Sequence, residues 1–433
     1  MYIKFLYRLA KLKRYLIEGN IYQTEGVVMG ALDGIRVLDL SRVLAGPWCG
    51  QILADLGAEV IKIERPKYGD DTRAWGPPWM KNDQGEDSHE AAYYQSTNRN
   101  KQSVAIDIST VEGQALVHSL IKDTDVLIEN YKTDSLKKYN LDYESLSQIN
   151  PRLVYCSITG FGQTGPRAEE PGYDFIIQGM GGLMSVTGEK DSLPGGGPQK
   201  LGIAFSDITT GLYATVAIQA ALLNRHISGL GQYIDMALLD VQVATLANQG
   251  MNYLASGKVP TRYGNAHANI VPYQVFKASD RDFIIACGND KQFAQLCDAI
   301  GLADLPQDPR FSSNAQRIKY RTEVTTLLAA HFATRTADEW VSAIQTAKVP
   351  VGLINNLEQA FKEPQVKARN MLIDMQHPES KNLTLIGSPI KMSRTPVEYR
   401  QAPPTLGQHT DEILSRIASQ EELAKLRKNN IIG

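Results

Sequence analysis

Residues 35–63 constrain the fold most. IRVLDL (Ile35–Leu40) is an apolar run with the length of a buried strand. AGPWCGQILADLGAEV follows, with Pro47 at a helix start, apolar residues at helical spacing and Gly57 to stop it. Val60–Ile63 is a second apolar strand. Strand, helix and strand within about 30 residues make a βαβ unit, the crossover that parallel strands require. The sequence therefore predicts an α/β fold with a doubly wound, mostly parallel, Rossmann-like sheet. Many such sheets bind a dinucleotide through G-x-G-x-x-G in the first turn. Gly46 and Gly50 do not make that fingerprint, so a nicotinamide site is rejected.

The alternation continues along the chain. The loop Glu64–Met80 leaves the carboxyl end of the second strand, where open α/β sheets bind ligands, and it carries Arg65 and Arg73. Lys101 enters a further strand, a helix is expected over 111–123, and TDVLIEN ends a strand at Asn130, with Lys132, Lys137 and Lys138 just beyond. RLVYCSITGFG is another buried strand. Arg65, Lys101, Asn130 with Lys138, and the loop in the 160s suggest a basic rim for a phosphorylated ligand. Two carboxylates then stand in weakly charged surroundings, Asp174 in PGYD and Asp207 in GIAFSDITTG. Asp207 heads a long apolar helix (Ile208–Leu223) and reads as its N-cap. The stretch 258–280 has little periodicity and reads as a loop crossing a groove. From Asp282 to about Asn382 the pattern changes to one strand and amphipathic helices, a smaller inserted α+β domain. The expected organisation is an arm over 1–29, a large domain over 30–227, a small domain over 228–385, and a return to the large domain over 386–433.

Composition limits the function classes. The formal net charge of −2 argues against nucleic-acid binding, so an anionic ligand must meet local basic groups. Cys49, Cys156, Cys287 and Cys297 lack CxxC spacing and read as buried thiols of a reducing compartment. No apolar run approaches the roughly 18–20 residues of a membrane span. The first residues carry Lys4, Arg8, Lys11, Lys13 and Arg14 before the first acid, Glu18. The expected location is cytoplasmic, or the mitochondrial matrix if that basic arm is a targeting peptide. Neither a phosphate-cradling G-x-x-x-x-G-K-[ST] nor HExxH occurs, and no metal is expected. No G-x-S-x-G elbow supports a serine triad. Among the histidines only His267, in GNAHANI, has a suspicious setting.

A set of co-linear motifs goes further. LDGIRVLDLSRVLAGPWCGQILADLGAEVIKIERPKYGDDTR, NRNKQSVAID, DVLIEN, NPRLVYCSITGFGQTGP, GYDFIIQGMGGLMSVTG, GQYIDMALLD, VPVGLINNLEQAFKEPQVKARNM and GQHTDEIL resemble the class III CoA-transferase family, the group of formyl-CoA transferase, carnitine-CoA transferase and α-methylacyl-CoA racemase. The resemblance spans about residues 31–420, and the wording is most similar to the succinyl-CoA–glutarate branch.

The resemblance implies roles for individual residues. Asp207 falls on the family's nucleophile. CoA-contacting positions fall on Leu44, Ala45, Arg65, Ile106, Asp107, Ile108, Ser109, Asn130, Tyr131, Lys132, Lys138, Pro171, Gly172, Tyr173 and Asp174. The family's racemases carry a histidine acid/base where this chain has Tyr173, a poor base at neutral pH, which favours transfer over racemisation. Leu44 replaces a glutamine of the formyl-CoA transferases, and YGNAHANIV stands where they have a polyglycine loop; both departures put oxalate or formate specificity in doubt. The implied activity moves CoA between an acyl-CoA thioester and a small carboxylic or dicarboxylic acid, through an aspartyl anhydride on Asp207. Donors for the oxyanion are sought in Gly179–Gly182 or in Gly264 and Asn265, and a cation for a dicarboxylate in Arg42 or Arg262. Coenzyme A is expected as substrate, with no tightly bound cofactor. The family plan also implies an interlocked homodimer. The competing readings are a 2-methylacyl-CoA racemase and a CoA-binding protein without catalysis.

Overall fold

The computed structural model describes residues 30–433. The expectations for residues 1–29, an arm or a targeting helix, lie outside the described residues.

Six parallel strands form the main sheet: β1 (Arg36–Asp39), β2 (Glu59–Glu64), β3 (Lys101–Ala105), β4 (Val126–Glu129), β5 (Val154–Thr159) and β6 (Tyr233–Ala237). Their spatial order is 3-2-1-4-5-6, the doubly wound order in which direction reverses between β1 and β4. Val37 pairs with Val60 on one side and Val126 on the other. The strands read as continuous apolar runs because both sheet faces are covered. Val37, Val60, Val126, Ile128, Val154 and Cys156 face one core, completed by Cys49 and Leu53 of helix α1 (Ala45–Asp55). Leu38, Ile61, Leu127 and Tyr155 face the other, completed by Val117 and Ile121 of α2 (Val111–Ile121). The 24-residue helix α4 (Phe205–Ser228) lies against α1 on the first face, after a short helix α3 (Asp174–Met180).

Gly211 lets α4 approach α1 closely. A Cβ there would stand 2.6 Å from the Ala45 carbonyl oxygen and 3.1 Å from the Trp48 side chain. Ile413, Leu414, Leu423, Ile431 and Ile432 bury themselves in the second core, so the chain's last segment packs on the large domain.

The domain boundaries differ from the expected ones. Strand β6 lies beyond residue 228 yet pairs with β5, so the large domain extends through it. A separate core gathers Val271, Phe283, Phe293, Phe332 and Trp340, and runs to Val349. The stretch expected as a groove-crossing loop contributes a strand to that unit, Tyr273–Lys277, paired antiparallel with Asp282–Ala286. At the other end, the hairpin Leu372–His377 with Ser380–Ile386 packs with Met80 and Ala402 in a cluster of its own. Sequence patterning misplaced both edges because an exposed edge strand and a hairpin look alike in either domain. All four cysteines are free and buried. Among the described residues, no helix is long and apolar enough to cross a membrane.

Candidate active site

The strand order reverses between β1 and β4, and ligands of such sheets bind outside the carboxyl ends at that point. Here the turn after β1 meets the end of β4. Asn130 binds the backbone of Arg42 twice, accepting from its N–H at 2.8 Å and donating to its carbonyl at 2.6 Å. The next residue, Val43, has φ +72°. For a β-branched residue this is a real outlier, worth of order 1–3 kcal/mol of strain, and such strain gathers at functional sites. It is held from below: the Val43 N–H points at both carboxylate oxygens of Asp70, at 3.2 and 3.3 Å.

A buried ionic layer supports that turn. Lys62 pairs with Asp70 at 2.9 Å and donates to the Ser41 carbonyl at 2.7 Å. Lys101 pairs with Asp39 at 2.9 Å. Burial opposes ionisation of Asp70, yet Lys62 holds its carboxyl below the ordinary range. Removing one member of such a pair costs roughly 3–5 kcal/mol, because it strands a buried charge. Two sequence expectations change here. Lys101 starts β3 and is fully buried, so it is no part of a basic rim. Arg73 is consumed by Glu64 at 2.8 Å and Glu90 at 3.1 Å.

The two carboxylates of the sequence reading come together, with roles different from those expected. Asp207 is the third residue of α4 and not its cap; the N-cap position is Ala204, which has no capping side chain. Asp174 serves instead, from the start of α3. Its Oδ1 accepts from the N–H of Ser206 at 2.7 Å and of Asp207 at 3.3 Å. Gln178, fully buried, donates to Asp174 Oδ2 at 2.7 Å and accepts from the Leu201 N–H at 2.9 Å. Asp174 is thus an orienting group for the helix that carries Asp207. A helix N-terminus favours the ionised form of a carboxylate. Here burial and then the charge of Asp174 push the Asp207 acid up to about 7 instead. Near neutral pH such a carboxylate is partly ionised and more basic than an ordinary one, which suits attack on an activated acyl carbon.

Aromatic groups line this place that the sequence did not mark. Burial, then the charges of Asp207 and Asp174, push the Tyr93 hydroxyl up to about 12, and Trp75 packs edge-on to its ring at 5.2 Å. The buried indole N–H of Trp48 has no hydrogen-bond partner among the described residues. Tyr93 lies in a four-residue helix (Ala92–Gln95) and Trp75 just past the turn Asp71–Ala74; neither carries a spacing signal, so only the fold brings them to this place.

The other candidates share one edge of the sheet. Leu44 and Ala45 are buried at the start of α1. Arg65, just past β2, is exposed and stacks on Tyr68 at 4.9 Å. Ile106 to Ser109 follow β3, where Asp107 Oδ1 accepts from the Ser109 N–H at 3.0 Å. Tyr131, Lys132 and Lys138 follow β4, with Lys138 over the Tyr139 ring at 4.6 Å. Pro171 to Tyr173 lead into α3, with Gly172 against Gly160 so closely that a Cβ would lie 2.4 Å from its Cα. Glu129, at the end of β4, is buried beside a cavity of about 310 Å³ that Lys132 and Tyr233 also line, and burial pushes its acid to about 7. A cleft of about 640 Å³ lies at the opposite edge, among Arg36, Glu59 and Asp123, away from these residues.

The substrate candidates fare less well. Arg262 is tied to Asp191 and donates to the Ser185 carbonyl at 3.1 Å. Gly264 packs against the Glu189 side chain, and the Asn265 carbonyl accepts from Val275, so this loop is fastened to residues 185–191 and to a small-domain strand. Arg42 pairs with Asp71 at 2.9 Å and lies over Tyr131 at 5.5 Å. His267 accepts from the Asn269 N–H at 3.0 Å, a structural role.

Comparison with known proteins gives the family. Residues 32–410 match CoA-transferase family III. The chain is 50% identical over 393 residues to the succinate–glutarate CoA-transferase of Agrobacterium fabrum, covering 91% of this chain and 97% of that one. It is 42% identical over 394 residues to the succinyl-CoA:glutarate CoA-transferase of Mus musculus, covering 91% and 88%. The fold matches the crystal structure of a CAIB/BAIF family protein from Brucella suis with a TM-score of 0.79 and 49% identity, over 90% of this chain and 100% of that one.

Proposed function

We propose the following chemistry for this chain, which belongs to CoA-transferase family III and is a CoA-transferase. It takes CoA from succinyl-CoA and gives it to another small dicarboxylic acid, with Asp207 as the covalent nucleophile. The Asp207 carboxylate attacks the thioester carbonyl, the C–S bond breaks, and a mixed anhydride forms as CoA thiolate leaves. The thiolate attacks the aspartyl carbonyl of that anhydride, releasing succinate and leaving CoA on Asp207. The acceptor carboxylate then attacks this new thioester, giving a second anhydride and thiolate. Attack of the thiolate on the acceptor's acyl carbon makes the product thioester and frees Asp207. One thioester replaces another, so the overall exchange is near isoenergetic, and the site's task is to stabilise the anhydrides, exclude water and hold the thiolate.

One observation carries this reading. The half-buried Asp207, its acid pushed up to about 7, stands in the first turn of α4, and Gly211 one turn later brings that helix against Ala45 at the strand-order reversal. Arg65, Lys132 and Lys138 are exposed cations on the same edge and suit the phosphates of CoA. Exposed apolar side chains along α4, among them Leu212, Tyr213, Val216, Leu223 and Ile227, support a homodimer.

The test is direct. Asp207→Ala abolishes CoA exchange and leaves CoA binding by calorimetry intact, and mass spectrometry of the wild type with succinyl-CoA finds an adduct on Asp207. Near-normal turnover of the variant, or an adduct on Asp174, overturns the assignment.

A further inference from the structure

Both cations that the sequence suggested for a dicarboxylate already have a carboxylate partner. Arg262 is committed to Asp191, and Arg42 to Asp71. Arg73, Lys62 and Lys101 are buried in ion pairs. We propose that Lys200 receives the second carboxylate of the acid bound at Asp207, and so selects dicarboxylates over monocarboxylates. This rests on the dicarboxylate reading above and names the group that enforces it.

A chain of contacts ties Lys200 to the site. Its ammonium lies 5.9 Å from the ring centroid of Phe175 and donates to the Leu201 carbonyl at 3.1 Å. Phe175 follows Asp174, the residue whose Oδ1 holds the N–H groups of Ser206 and Asp207. The segment just after Lys200 is pinned to the same place, since the Leu201 N–H donates to Gln178 at 2.9 Å and Gln178 in turn holds Asp174 and the Ile203 carbonyl. The backbone beside Lys200 is therefore tied, through part-buried hydrogen bonds, to the residue that holds the Asp207 N–H, while the Lys200 side chain is exposed. No carboxylate of the described residues pairs with it. Phe175 and Ile176, next to Asp174, and Ile203, just before α4, are exposed apolar groups on the same two segments. They offer a surface for the methylenes of a linear diacid, with one carboxylate at Asp207 and the other at the ammonium. An exposed ammonium with free donors gains most from a second anion, because it is not already neutralised.

Steady-state kinetics with saturating succinyl-CoA test this, comparing glutarate with valerate, which has the same number of carbons and one carboxylate. Lys200→Met is expected to raise the KM for glutarate about 10- to 100-fold while kcat changes less than about twofold, and to leave valerate turnover unchanged. Lys200→Arg recovers most of the preference. The KM for succinyl-CoA rises in parallel in Lys200→Met, since its free carboxylate uses the same cation. An unchanged melting temperature in both variants separates recognition from folding. If Lys200→Met keeps the glutarate preference of the wild type, the role of Lys200 is overturned and the dicarboxylate reading stands. If the wild type shows no preference for the second carboxylate, both are overturned.

Discussion

Asp174 and Asp207 divide between them what a single aspartate seemed able to do. One carboxylate satisfies the first N–H groups of α4, and the other is left free in the first turn. The cost is electrostatic, because the capping charge adds to burial in pushing the Asp207 acid up to about 7. The sign of the pH dependence follows. Only the ionised carboxylate attacks, so kcat/KM falls as pH drops below about 7 in the wild type. Asp174→Asn keeps an acceptor oxygen for Ser206 and Asp207 but removes the charge. The acid limb of its kcat/KM profile is expected to move to lower pH, with some loss of stability, about 1 kcal/mol, because the Asn amide would face the Gln178 donor. A limb that stays in place, or moves up, would show that Asp174 does not set the acidity of Asp207. At this scale the sequence was legible in part. It marked both acids by their apolar, glycine-rich neighbourhood. It could not tell cap from nucleophile, since the two lie 33 residues apart and meet only through the fold.

Helix α4 does its work through one close approach. Gly211 has no side chain to separate it from the Ala45 carbonyl, and a Cβ there would fall 2.6 Å from that oxygen. Gly211→Ala gains helix propensity of about 1 kcal/mol and meets a backbone atom that cannot rotate away. The two helices must part, with a net cost of about 1–3 kcal/mol. Asp207 lies one turn before Gly211, so the nucleophile shifts against Leu44 and Ala45 as the helices part. Thermal unfolding is expected to show a modest loss, and kcat a loss of about 100-fold, more than the stability change alone implies. A variant that melts lower but turns over normally would show that the α1–α4 spacing is structural only. The βαβ unit, the helix over residues 45–55 and strands β1 to β5 were readable, because both-face burial makes apolar runs that a short window detects. The buried pairs of Lys62 and Lys101 were not, because a lysine in a strand looks like an edge or a rim until its carboxylate partner is known. That is why Lys101 was placed among ligand groups.

The chain as a whole is assembled from distant pieces, and this is where sequence reading fell short. Edge strand β6 and the hairpin over 372–386 each join structure remote in sequence, so local pattern shifts placed the domain edges badly. The outer face of α4 carries the same lesson outward. A helix that packs Ala214, Ile218 and Ala221 inward also presents Leu212, Val216, Leu223 and Ile227 outward, with Ile227 at 90% exposure. A helix apolar all round is normally covered on both sides. In the proposed homodimer a second copy supplies the other cover. Sedimentation at micromolar concentration is expected to give a dimer for the wild type. Val216→Asp combined with Leu223→Asp removes the apolar cover on the outer face without touching the inner one. The double variant is expected to sediment as a monomer with an unchanged far-ultraviolet circular dichroism spectrum. If it remains dimeric, the outer face of α4 is not where the copies meet. If the wild type is monomeric over the same range, the homodimer itself is wrong, and the apolar face of α4 is open to solvent.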